Sequence, residues 1–142
     1  MEKNPKNTAT LQTLQNNMLR VIFGFKLQNR VNMKNLREEI KMMSVNQISV
    51  YHTLLEAYNV MRHLSSEQIQ MKWKLIERKY ALRSITKKKL NVPEKPKLKC
   101  LGFTYNGAKL FNMLPLEMKK MEDPNIFKTK TKEWIWENIP SY

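Results

Sequence analysis

Apolar side chains at Leu11, Leu14, Met18, Val21 and Ile22 recur at steps of three and four, which predicts a helix with one apolar face. Thr8 or Thr10 can cap its start, and Gly24 can end it in a left-handed turn. A second helix is expected from Asn32, whose side chain can accept from an orphan amide while Val31 staples to Leu36; it would bury Leu36, Ile40 and Met43. Two further starts are marked more fully. Ser44 with Gln47 and Ser65 with Gln68 have capping-box spacing, and the pairs Met43/Ile48 and Leu64/Ile69 bracket them as staples. The helix after Ser44 offers Ile48, Tyr51, Leu55, Tyr58 and Met61 as a core face. The helix after Ser65 offers Ile69, Trp73, Ile76 and Tyr80.

Beyond Tyr80 the periodicity fails, and Lys87, Lys88, Lys89, Pro93 and Pro96 mark an exposed, extended linker. Residues 98–105 can form a strand, with Asn106 and Gly107 supplying a tight turn. Ala108, Leu110, Phe111 and Leu114 then continue as a hairpin partner or a short helix, of which the helix is favoured. Asp123 caps a last helix with Pro124 at its first position, and Phe127, Thr131, Trp134 and Ile135 face inward. The expectation is a mainly α fold: a flexible tail over 1–10, a helical region over 11–82, a basic extended linker over 83–99, and a small β element with C-terminal helices over 100–142.

At 142 residues and 42% hydrophobic, the chain has the size and apolar content of one modest domain. The single cysteine, Cys100, allows no internal disulfide and no Cys-x-x-Cys metal or redox pair. Residues 1–10 are too polar for a secretory signal, and no run approaches the roughly 20 apolar residues of a membrane span. An intracellular chain, nuclear or cytoplasmic, is therefore expected.

Charge is the strongest signal in the composition. The net +14 is concentrated in residues 72–99, where Lys72, Lys74, Arg78, Lys79, Arg83, Lys87, Lys88, Lys89, Lys95, Lys97 and Lys99 face only Glu77 and Glu94. These 28 residues hold +9 of the total, and such a density repels itself unless a polyanion offsets it. Trp73 and Tyr80 interleave with the cations, as suits a surface that neutralises phosphates while rings stack or pack inward. A solvated lysine-rich face with Trp73 in the core is the plainer reading of the same pattern.

Catalytic constellations are sparse. The one aspartate, Asp123, sits at a helix start, whereas two-metal phosphoryl transfer needs carboxylates converging on cations about 3.5–4 Å apart. Glu38, Glu39, Glu56 and Glu67 read as solvated charge. His52 and His63, eleven residues apart, do not have the three- or four-residue spacing of helical metal ligands. The run from Gly102 to Lys109 departs from a phosphate loop, because Ala108 separates Gly107 from the lysine and Leu110 follows it. No cofactor, metal or catalytic residue is expected.

Leu11, Gln12, Gln15, Asn16, Leu19, Arg20, Ile22 and Gly24 stand in the order of a longer motif. Phe103, Tyr105, Leu110, Asn112, Leu114 and Pro115 follow, then Phe127, Lys128, Lys132, Trp134, Ile135, Asn138, Ile139 and Pro140. Together they resemble the C-terminal end, thumb onward, of reverse transcriptases from non-LTR (LINE-like) retrotransposons, with Tyr51-His52-Thr53 in that family's apolar helix. Phe111 stands where many relatives have Trp. The resemblance implies that the catalytic aspartates of the RNA-directed DNA polymerase belong to a palm upstream and are absent here. It also implies that helices of this region grip a template–primer duplex.

The resulting expectation is a non-catalytic remnant that binds RNA or DNA duplex backbone without sequence preference through the basic segment, with the remainder of a polymerase as a further partner. Two rivals remain open. One is a protein-interaction or oligomerisation module using Met-rich faces that include Met42, Met43, Met61 and Met71; the other is a decayed fragment with exposed apolar patches.

Overall fold

The computed structural model of the chain describes residues 5–26, 28–62 and 103–141. Six helices account for most of them: α1 (Pro5–Ile22), α2 (Met33–Glu39), α3 (Val45–Met61), α4 (Phe103–Met113), α5 (Leu116–Lys119) and α6 (Pro124–Asn138). The fold is mainly α, with no strand among the described residues. The helix expected after Ser65 and the linker over 83–99 lie outside them.

Side-chain caps start three helices as the sequence leads one to expect. The Ser44 hydroxyl accepts from the Gln47 amide at 3.4 Å, and Gln47 Oε1 accepts from the Ser44 amide at 2.9 Å, closing both halves of the box before α3. Asn32 Oδ1 accepts from the Lys34 and Asn35 amides before α2, and Asp123 Oδ1 accepts from the Asn125 amide at 2.8 Å before α6. Gly24, with φ +67°, ends α1: the Phe25 amide donates to Arg20 O at 2.8 Å and the Gly24 amide to Val21 O at 3.2 Å. Lys41, with φ 55°, closes α2 through the same pair of bonds, Met42 N to Arg37 O and Lys41 N to Glu38 O.

Two segments differ from expectation. α1 begins at Pro5, so residues 5–10 are helix rather than tail, and Thr8 and Thr10 lie inside it. A proline at the first helical position forfeits no hydrogen bond and already has a helical φ. The Thr10 hydroxyl donates back to Lys6 O at 2.9 Å instead of capping. The second is the β element: residues 103–105 are helix, and α4 runs straight through Asn106 and Gly107. A mid-helix glycine costs about 1 kcal/mol against alanine. Burial of Gly107, Ala108, Phe111 and Leu114 against the core outweighs that cost.

α3 is the central element, packed by α4 on one side and α6 on another, with α1 at its start. Val50, Leu54, Ala57, Tyr58 and Val60 meet Ala108 and Phe111 of α4, Leu114 just beyond it, Met118 of α5, and Phe127, Trp134 and Ile135 of α6 in one core. Of the expected α3 face Tyr58 is in the core, Tyr51, Leu55 and Met61 are half-buried at its margin, and Ile48 is exposed. Neighbours on two sides widen the inward arc and centre it on Val50, Leu54 and Ala57. On α6 all four expected residues, Phe127, Thr131, Trp134 and Ile135, are buried. α3 and α6 run antiparallel. The Tyr58 ring stacks on Phe127 at 4.1 Å at one end of the pair, and Gln47 Nε2 donates to Ile139 O at 2.9 Å at the other.

α1 docks by amides rather than by its apolar stripe. Gln12 Oε1 accepts from the Val45 amide at 3.0 Å, Gln15 Nε2 donates to Met43 O at 2.9 Å, and Asn16 Oδ1 accepts from Arg37 Nη1. Leu19 is its one buried apolar side chain, and Leu11, Leu14, Met18, Val21 and Ile22 are exposed. α2 follows suit, burying Met33 and Arg37 while Leu36 and Met43 are half-buried and Ile40 is exposed. Arg37 turns inward because its hydrogen-bond partner, Asn16, lies on the polar face of α1.

Replacing Gln47 by Ala removes a buried amide that ties the start of α3 to the end of α6. Urea unfolding should show a loss of about 2–3 kcal/mol. Gly24→Ala meets no atom within 4 Å of the added Cβ, so its loss of about 1 kcal/mol at unchanged m would be purely conformational.

Candidate functional site

All eleven cations that sequence reasoning singles out, Lys72 to Lys99, lie outside the described residues. The described residues carry fourteen Lys/Arg and eight Asp/Glu, a net +6. Two of these cations are buried. Arg37 is 2% exposed and bonded to Asn16; burial lowers its guanidinium from the ordinary value, with Glu38 pulling the other way, and an arginine stays charged regardless. Lys119 is buried, donates to Asn112 O at 3.0 Å and sits 5.8 Å above the Phe111 ring. Arg62 is also tied down, donating to Lys120 O and Met121 O and lying over Tyr58.

The exposed cations gather differently around α3. Lys132 of α6 stands 5.6 Å over the Tyr51 ring, whose edge meets His52 at 5.4 Å. Lys128 lies one turn before Lys132 on the same face of α6 and is exposed. Across α3, Lys109 of α4 lines an open cleft of about 370 Å³ with Asn46, Ser49, Thr53 and Asn106, and sits over the Tyr105 ring at 5.1 Å. At 100° per residue, His52 falls between Tyr51 and Ser49 on the α3 surface, so one exposed ridge is flanked by an ammonium group on each side. Lys130 instead points at Glu133, 2.8 Å away, which raises its pKa and offsets its charge.

Ammonium groups serve as point charges for phosphates, the amide and hydroxyl side chains as neutral donors, and the Tyr51 and His52 rings as flat apolar surfaces. This ridge is suited to an extended polyanion. Among the described residues no three His, Cys, Asp or Glu side chains come together, and no helix is long and apolar enough to cross a membrane. Asp123 is engaged as a helix cap.

The sequence pattern alone puts Tyr51 in the core and gives His52 a structural or surface role. The signal for the ridge is on α6: Lys128 and Lys132 each follow a buried residue, Phe127 and Thr131, and so must border the inward stripe. No family model, curated protein or solved structure matches the chain.

Stability measurements separate the two kinds of cation. Lys119→Ala should cost about 1–3 kcal/mol in urea unfolding by removing a buried stem and its hydrogen bond. Its exposed neighbour, Lys120→Ala, should stay within about 0.5 kcal/mol.

Proposed function

We propose that the chain is a non-catalytic nucleic-acid-binding module, akin to the C-terminal part of a non-LTR retrotransposon reverse transcriptase. It contacts phosphates through the basic segment Lys72, Lys74, Arg78, Lys79, Arg83, Lys87, Lys88, Lys89, Lys95, Lys97 and Lys99. The observation that carries this reading is the charge concentration: +9 of a net +14 within 28 residues. The ordered motifs from Leu11 to Pro140 support it, as does the ridge where Lys109, His52, Tyr51 and Lys132 share an exposed surface. Its mechanism is counterion release on phosphate neutralisation, without base-specific readout, so duplexes of RNA, of DNA and of the two as a hybrid all qualify. Such a partner places the chain in the nucleus or cytoplasm, and any polymerase centre would be supplied by other polypeptide.

Affinity for duplex and single-stranded RNA and DNA, titrated against salt, tests the reading. Binding should weaken steeply as salt rises, and negligible affinity at about 50 mM salt would refute it. Replacing Lys87, Lys88 and Lys89 together by Glu should lower affinity at least about tenfold for every sequence. The same change should flatten the slope of log affinity against log salt by about one for each phosphate that is no longer neutralised. Weakening confined to particular sequences would exclude the mechanism.

A further inference from the structure

α1 is amphipathic in the usual sense but docked the other way round. Gln12, Asn16 and Leu19 face the body, and the apolar stripe lies roughly a third of a turn away from them. Along it Leu11, Leu14, Met18, Val21 and Ile22 are 53–81% exposed. Their combined open surface is on the order of 600 Å², at the upper end of the largest apolar patch of a typical monomer.

We propose that this stripe is the interface of a homodimer, in which α1 of one protomer packs against α1 of a second copy. Three observations select a second copy. First, Leu11, Leu14, Met18 and Val21 follow the alternating three- and four-residue spacing of a helix–helix seam, so the matching surface for the stripe is another helix of the same pattern. Second, the positions bordering the seam, Thr10, Gln15, Asn17 and Ile22, carry no charge. On a chain of net +14, this is a face where two copies meet without opposing like charges. Third, two such stripes face to face hold on the order of 1,200 Å² of open apolar surface, the lower end of what a specific stable interface buries. A two-fold arrangement uses the same patch twice and closes on itself. The docking of Gln12, Gln15 and Asn16 onto residues 37–45 holds the stripe outward and ready to pair.

This inference is independent of nucleic-acid binding, and its test keeps the two apart. The full chain is treated with nuclease and run at roughly 0.5 M salt, where phosphate contacts are screened, on size exclusion with light scattering over a range of concentrations. The expected result is a concentration-dependent rise from 17.0 kDa toward twice that mass. Leu14→Glu with Val21→Glu should raise the dimer dissociation constant at least about tenfold, with helical far-UV signal retained because both positions are exposed. The milder Leu14→Gln with Val21→Gln should shift it in the same direction. A single 17.0 kDa species up to about 100 μM would overturn the proposal, since dimers of this interface size associate well below that concentration. A dimer undisturbed by either double substitution would also overturn it.

Discussion

Gln47 is the constraint on which the arrangement of the helices depends. It is fully buried, so both ends of its amide must find partners or the side chain costs more than it contributes. Its oxygen accepts from the Ser44 amide and thereby starts α3; its nitrogen donates to Ile139 O, just beyond the last turn of α6. One side chain therefore couples a local event, a helix start, to a contact 92 residues away. Gln12 extends the same junction by accepting from the Val45 amide, a donor that α3 itself cannot satisfy. Two helices thus converge on the first turn of α3, α1 through an orphan amide and α6 through the Gln47 side chain.

At the other end of the α3–α6 pair the constraint is apolar. Tyr58 stacks on Phe127, and its hydroxyl reaches Met121 O and Glu122 O, where the chain turns into α6. Arg62 donates to the same stretch. The connection between α5 and α6 is thus held by side chains of α3, which leaves α6 free to present Lys128 and Lys132 outward beside its buried stripe. The cationic ridge follows from the packing: residues that border a core stripe must lie at its edge, and long basic side chains can lay their stems on apolar surface with the charge in water.

α1 shows the consequence of docking through hydrogen bonds. Amide contacts fix its rotation because each has one partner in one direction, and that rotation commits the apolar stripe to the outside. Hydrophobic burial alone would have turned the helix the other way. The polar residues of the motif that suggests a reverse-transcriptase thumb, Gln12, Gln15, Asn16 and Arg20, have structural uses here: Arg20 donates to Asn29 O at 3.1 Å and braces the loop after α1.

What could be read from residue order alone is what depends on near neighbours. The caps at Asn32, Ser44 and Asp123 and the left-handed turn at Gly24 involve groups within a few positions of one another, and each is where the sequence places it. The inward face of α6 was equally legible, because that helix has one buried side. The faces of α1 and α2, the centre of the α3 face, of which only Tyr58 was legible as core, and the helical state of Asn106 and Gly107, were not. Periodicity reports that a helix has an apolar side but not whether a partner stands there, and a local turn preference yields when burial on a distant helix is worth more. The charge of the proposed binding segment could be counted, yet the ridge of Tyr51, His52, Lys109 and Lys132 could not. Those four residues belong to three helices, and only the packing of α4 and α6 on α3 brings them to one surface.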